Sequence, residues 1–243
     1  MSVADSVADR PGGAAAVPIS WPITVAIDGP SGSGKSSVSK AAAARLGLEY
    51  LDTGAQYRAM TWWMLRHGID TADPAAVAAA CDRPAIESGT DPLAPAIAVD
   101  GEDVSAAIRT PEVTAAVSAV AGVQAVRDRL IALQRLVIRQ ARERSGGVVA
   151  EGRDIADVVY PAAECKIYLT ASVEARAARR SIELVGGPGA AQTRLDLARR
   201  DAQDAKTTRP LDAAPGAIVV DATHLTLDQV VERVAELAAG SHG

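Results

Sequence analysis

The clearest chemical capacity in the chain lies in Gly29–Ser36, GPSGSGKS, which fills every position of the pattern G-x-x-x-x-G-K-[ST]. Each residue type has its own task there. Glycines at 29, 32 and 34 permit positive φ and let the backbone approach a ligand with no Cβ in the way. Pro30, Ser31 and Ser33 occupy the variable positions. Successive N–H groups then turn inward to cradle phosphate oxygens, and the following helix adds its positive N-terminal end. Lys35 is placed for the β- and γ-phosphates of a nucleotide, and the Ser36 hydroxyl for Mg²⁺. A glycine-rich turn that merely matches is the competing reading. The apolar run Ile23–Ile27 before it and the helical pattern after it argue against that.

Such a loop needs a strand to end on and a helix to begin with, and the chain supplies a series of both. Short Val/Ile/Leu-rich runs predict strands at Ile23–Asp28, Glu49–Leu51, Val148–Ala150, Lys166–Thr170 and Ala217–Asp221. Between them, helices are expected over Lys35–Leu46 and Ala55–His67, each stopped by a glycine, and over Pro111 to about Arg144 with a break near Gly122. Further helices are expected over Val173–Leu184, Ala190–Ala205 and Asp228–Ala239. Alternation of this kind predicts a doubly wound α/β protein with a parallel sheet, its ligands at the carboxyl ends of the strands. The stretch Asp70–Thr110 breaks the rhythm. It is proline-rich and holds a predicted hairpin, Ala96–Val99 and Glu102–Val104, around Asp100-Gly101, so it reads as a small inserted subdomain.

Composition narrows the choices. The 243 residues are 48% hydrophobic and 23% charged, ordinary globular values, with a formal net charge of -5. An acidic chain is a poor nucleic-acid surface, so no nucleic-acid partner is expected. Positive charge is instead local, at Arg176, Arg179, Arg180, Arg194, Arg199, Arg200, Lys206 and Arg209, which suits a small polyanion in a cleft. Two cysteines, Cys81 and Cys165, without a C-x-x-C, support neither a disulfide framework nor a zinc site. No run of about 18 apolar residues exists to span a membrane. Residues 1–20 read as a disordered leader without the basic start or apolar stretch of a signal peptide, which leaves the cytoplasm as the expected location.

A phosphate loop alone does not choose a reaction. Guanine readers use N-K-x-D, and the chain contains no Asn. Asp221 ends an apolar strand but lacks the adjacent Glu of a water-activating pair, so it reads as a turn residue. Transfer to a bound small acceptor remains. A nucleoside monophosphate already carries an anionic oxygen, so the task is to bring negative charges together with Mg²⁺, Lys and Arg and no general base. His67, His224 and His242 read as solvated. A hydroxyl acceptor such as shikimate would need a carboxylate base, for which Asp154 is available. A regulatory module that binds nucleotide without turnover is the reading from outside the enzymes.

Gly29–Ser37 (GPSGSGKSS), Leu51–Arg58 (LDTGAQYR), Gly101–Val113 (GEDVSAAIRTPEV), Glu151–Asp154 (EGRD) and the stretch from Pro210 onward resemble, in order and spacing, the bacterial cytidylate kinase family. The likeness runs from about Ile23 to the C-terminus. It implies Mg²⁺-dependent phosphorylation of CMP or dCMP by ATP on a monomeric nucleoside-monophosphate-kinase fold. That fold is a three-layer P-loop NTPase with a central parallel sheet. The core would span 21–69 and 111–243, the monophosphate-binding insert 70–110 and a short lid 184–208.

The resemblance also implies residue roles. The ATP side is Gly29–Ser37, with Arg176 and Arg180 beside it on one helix face. On the acceptor side Thr53 takes part in binding, while Arg58 and Arg153 grip phosphate through paired donors. Asp154 receives the cytosine amino group, which the O4 of uracil would repel. Tyr57 is left between packing and binding. Ser118 and Arg127 face the base, Arg200 contacts phosphate during transfer and Asp204 accepts from ribose hydroxyls. The structural alternatives are an Arg153–Asp154 ion pair and a salt bridge from Arg127 to Asp128 or Glu112. One departure follows Asp204: Thr207 stands where the family commonly has arginine. The loop Gly186–Gly189 reads as a lid turn whose closing excludes water.

Overall fold

The computed structural model describes residues 22–183, 194–195, 197–199, 201–202 and 212–241, with the backbone alone for 180–183. Five parallel strands form the central sheet in the order β2-β6-β1-β7-β8: β1 Ile23–Asp28, β2 Glu49–Asp52, β6 Gly147–Gly152, β7 Cys165–Thr170 and β8 Ile218–Asp221. β1 is buried at every residue, as a continuous apolar run must be when helices cover both faces. Its side chains alternate between two cores. Ile23, Val25 and Ile27 pack under α1 (Lys35–Leu46) and the C-terminal helix Leu227–Gly240, whereas Ala26 faces a second cluster under α5 (Gln124–Ser145). The alanines of α1 let that helix lie close to the sheet: Ala42 and Ala43 have no exposed surface.

The predicted helices and strands recur with ends shifted by one or two residues. α2 spans Thr53–Arg66, α4 Pro111–Ala121 and α6 Val173–Glu183. The expected break at Gly122 separates α4 from α5, and Thr110 caps α4 by accepting from Val113 N–H. Within 190–205, the described residues 194–195, 197–199 and 201–202 are helical. A π-helical turn at Ile155–Val159, between β6 and β7, was not expected from the sequence.

Residues 74–103 hold α3 (Pro74–Ala80) and an antiparallel three-stranded sheet, β3 Ile86–Ser88, β4 Ile97–Val99 and β5 Glu102–Asp103. The hairpin forms at Asp100-Gly101, with φ of 51° and 81°, the pair of positive values a type I′ turn requires. Asp100 tolerates this because its carboxylate is anchored, accepting from Trp63 Nε1 at 2.8 Å and Ala85 N–H at 2.7 Å. The insert shares a core with the helices around it: Val77, Ile86, Ile97 and Val99 pack with Met60 and Met64 of α2, Val120 of α4 and Leu130 of α5. No helix among the described residues is long and apolar enough to cross a membrane.

Candidate active site

β1 ends in Asp28 and the chain turns sharply at Gly29, whose φ is 149°. A Cβ there would sit 2.1 Å from the carbonyl oxygen of Leu169, so no other residue fits without moving β7. Gly32 and Gly34 also have positive φ, and Gly34 begins α1 with no side-chain cap, so the helix presents its first N–H groups to whatever enters. The loop is braced from behind by side chains. Lys35 Nζ donates to Pro30 O at 2.7 Å, Arg176 Nη1 to Ser31 O at 3.0 Å and Arg179 Nη1 to Ser33 O at 3.0 Å. Asp201 accepts from Ser31 N–H at 3.1 Å and pairs with Arg176.

Across from the loop, β2 runs into α2 through Asp52, which caps the helix by accepting from Ala55 N–H at 2.9 Å. Thr53 Oγ1 donates to Glu151 O at 2.7 Å, and Arg58 Nη1 to Thr114 Oγ1 at 3.1 Å. Beyond β6, Arg153 Nη1 donates to Gly29 O at 3.1 Å and lies 3.9 Å from Asp201. Asp154 pairs with Arg127 Nη2 at 2.5 Å, both side chains almost wholly buried. Asp154 thus pairs with Arg127 of α5, in place of an Arg153–Asp154 pair and of a bridge from Arg127 to Asp128 or Glu112.

These elements enclose a cleft of about 540 Å³. Ser31, Gly32, Gly34, Lys35, Ser36 and Ser37 line it from the loop, and Thr53, Arg58, Ser118, Arg127, Arg153 and Asp154 from the other walls. Gly29, Pro30 and Ser33 belong to the loop but do not line the cleft. Arg176 is buried against the rear of the loop and reaches the cleft only through the Ser31 backbone. The Arg180 side chain, Arg200, Asp204, Thr207 and the 186–189 loop lie outside the described residues.

Burial sets the electrostatics. Desolvation, with Arg153 nearby, pushes the Lys35 ammonium well below the usual lysine range, against the opposing carboxylates of Glu151, Asp28 and Asp201. The Glu151 carboxyl is pushed up by burial and by Asp52, while the Tyr50 hydroxyl, the Ser36 hydroxyl and Lys35 oppose that shift. Burial raises Asp28 to about 6 even though it accepts from the N–H groups of Ile155 and Ala156, both at 2.8 Å. Tyr57, at the cleft wall, is pushed up to about 12, chiefly by burial.

The sequence assigned no role to Asp28, Asp52, Arg109, Glu151 or Asp201. Arg109 and Glu151 stand inside the stretches GEDVSAAIRTPEV and EGRD, so their position was marked though their task was not. Nothing local distinguishes Asp28 from an ordinary strand-end carboxylate.

A phosphate loop at the carboxyl end of the middle strand of a parallel sheet, with arginines facing it across a cleft, defines a P-loop kinase of the three-layer α/β type. The family model described as Cytidylate kinase matches residues 25–240. The chain is 58% identical to the cytidylate kinase of Streptomyces griseus over 219 residues, 90% of this chain and 93% of that protein. It is 58% identical to the cytidylate kinase of Streptomyces coelicolor, covering 91% and 95% of the two chains, and 50% identical to that of Nocardia farcinica, covering 90% and 94%. The chain belongs to the cytidylate kinase family and is a phosphotransferase.

Proposed function

We propose that the cleft transfers the γ-phosphoryl group of ATP to CMP or dCMP, giving CDP or dCDP, with ATP on the loop side and the monophosphate between α2, α4 and Asp154. The observation that carries the reading is the buried Arg127–Asp154 pair lining the cleft. A carboxylate positioned by a guanidinium accepts from the cytosine N4 amine and repels the O4 of uracil, while the guanidinium donates toward O2 or N3. Ser118 lines the same cleft.

Arg58 and Arg153, which donate to Thr114 and Gly29, grip the acceptor phosphate, whose oxygens offer each guanidinium paired acceptors. Thr53, between them at the start of α2, completes that end. The acceptor oxygen is already anionic, so no residue needs to take a proton. Lys35 follows the charge on the β- and γ-phosphates, and the buried site makes each such interaction stronger than it would be in water. Gly29–Ser37 hold the triphosphate, supported from behind by Arg176 and flanked by Arg180. Arg200 and Asp204 act from the lid side, 184–208, on phosphate and ribose.

Mg²⁺ fits the donors present. Ser36 offers a hydroxyl at the helix N-terminus beside Glu151. An Mg²⁺ ion bound with a nucleotide keeps several waters and takes phosphate oxygens, so it needs few protein ligands. When bound, the ion neutralises charge between the phosphates. The division into a core of 21–69 and 111–243 with an insert over 70–110 lets one chain hold both substrates, and it acts as a monomer in the cytoplasm, without nucleic-acid or membrane partners.

ADP release measured with CMP, dCMP, UMP, AMP, GMP and shikimate tests this. Cytidine nucleotides are expected to give the fastest turnover. Faster turnover with any other acceptor, or ATP binding with no CMP-dependent turnover, would overturn the reading.

A further inference from the structure

The 3₁₀ turn Ala107–Arg109 joins the inserted sheet to α4, and its last side chain lines the cleft. Arg109 is 67% exposed there, an unusually open position for a guanidinium inside a ligand cleft. Its ion partner is Asp52, at 3.9 Å, a long and solvated contact that holds it weakly. Two observations put it at the phosphate end of the cleft. Asp52 caps α2 directly before Thr53, and the charge of Arg109 acts on the Tyr50 hydroxyl, which donates to Glu151 near Lys35 and Ser36. Arg58 meets the same region, since its partner Thr114 lies one turn into the helix that Arg109 precedes.

Asp52 and Glu151 line the same cleft as Arg58, Arg153 and Lys35, and their negative charge works against the grip of those cations on a dianion, so a further cation beside Asp52 offsets it. A guanidinium held by one weak carboxylate contact is suited to that task, because phosphate offers it two parallel acceptors.

We infer that Arg109 is a binding residue for the acceptor's phosphate: it exchanges Asp52 for the monophosphate, so that the insert, and not the core alone, reads the anionic end of the substrate. This rests on the acceptor lying in the cleft as proposed above.

Steady-state kinetics of Arg109→Ala, Arg109→Lys and Arg58→Ala, with cytidine as a competitive inhibitor, tests it. For Arg109→Ala the KM for CMP is expected to rise about tenfold or more, as loss of a charged hydrogen bond does. The KM for ATP should stay within about twofold, and the inhibition constant of cytidine, which has no phosphate, should not change. Arg109→Lys should recover part of the loss, since an ammonium keeps the charge without the paired donors. An unchanged KM for CMP in Arg109→Ala alone, with Arg58→Ala impaired, overturns the inference and leaves the site. If both variants bind CMP normally, the acceptor lies elsewhere and the inference falls with the reading it rests on. A cytidine constant that rises in step with the KM for CMP also overturns it, because Arg109 would then act by shaping the cleft.

Discussion

The donor wall of the cleft presents backbone, braced from behind, and the acceptor wall presents side chains. On the donor side Gly29 is pressed against Leu169, and the carbonyls of Pro30, Ser31 and Ser33 are tied down by Lys35, Arg176 and Arg179. On the acceptor side Arg58 rests on a threonine hydroxyl and Arg109 leans on Asp52 at 3.9 Å. Phosphate is the same in every nucleotide, so the surface that binds it can be rigid and generic. A particular monophosphate must be recognised and released, which favours side chains that exchange one partner for another. The Arg127–Asp154 pair stands between these cases: side chains, but buried ones, where we propose the base is read.

The sharpest way to break the contrast is on the donor wall. Lys35→Ala should lower kcat about a thousandfold, the scale for removing one preorganised charge partner, with CMP binding retained; isothermal titration with CMP and single-turnover rates check both. Gly29→Ala should cost at least about 3 kcal/mol in urea unfolding, since a Cβ cannot clear the Leu169 carbonyl and φ is strongly positive. A near-neutral result would mean the wall is softer than its packing implies.

Asp28 gives a pH signature for the same wall. Its folded pKa of about 6 lies above the ordinary value of 3.8, so the folded protein holds this proton more tightly than the unfolded chain. The contribution of Asp28 to stability therefore falls as pH rises from about 4 to about 6 and is constant above that, a change of order 3 kcal/mol. Unfolding measured from pH 4 to 8 for the natural chain and Asp28→Asn should differ by an amount that varies in that window and levels off beyond it.

Arg176→Ala gives a smaller effect that sharpens the division of labour. It removes the brace on Ser31 without touching the cleft, so the KM for ATP should rise about tenfold while the KM for CMP holds, beyond a loss of stability of about 3 kcal/mol from stranding Asp201.

What the sequence reveals follows the same division. The phosphate loop is legible because its backbone demands glycines at fixed spacing, and β1 because burial on both faces demands an unbroken apolar run. The hairpin at Asp100-Gly101 is legible for the same local reason. The bracing residues are not, because their partners are distant in the chain: Ser31 meets Asp201, Asp28 meets Ile155, and Thr53 meets Glu151. A carboxylate in isolation gives no sign of the N–H group it will meet. The turn Ile155–Val159 is hidden for another reason, since IADVV fits strand or helix equally well and its first N–H groups are held by Asp28, distant in the chain.

The central claim is that one buried carboxylate, held by Arg127, chooses the base while cations elsewhere handle the phosphates. The ratio of kcat/KM for CMP to that for UMP, measured in the natural chain and in Asp154→Asn, tests it most directly. Asparagine offers an amide donor to uracil O4, so the ratio should fall by about 10- to 100-fold while the KM for ATP stays near its original value. A variant that keeps its preference for CMP, or that loses ATP and CMP alike, would contradict the claim.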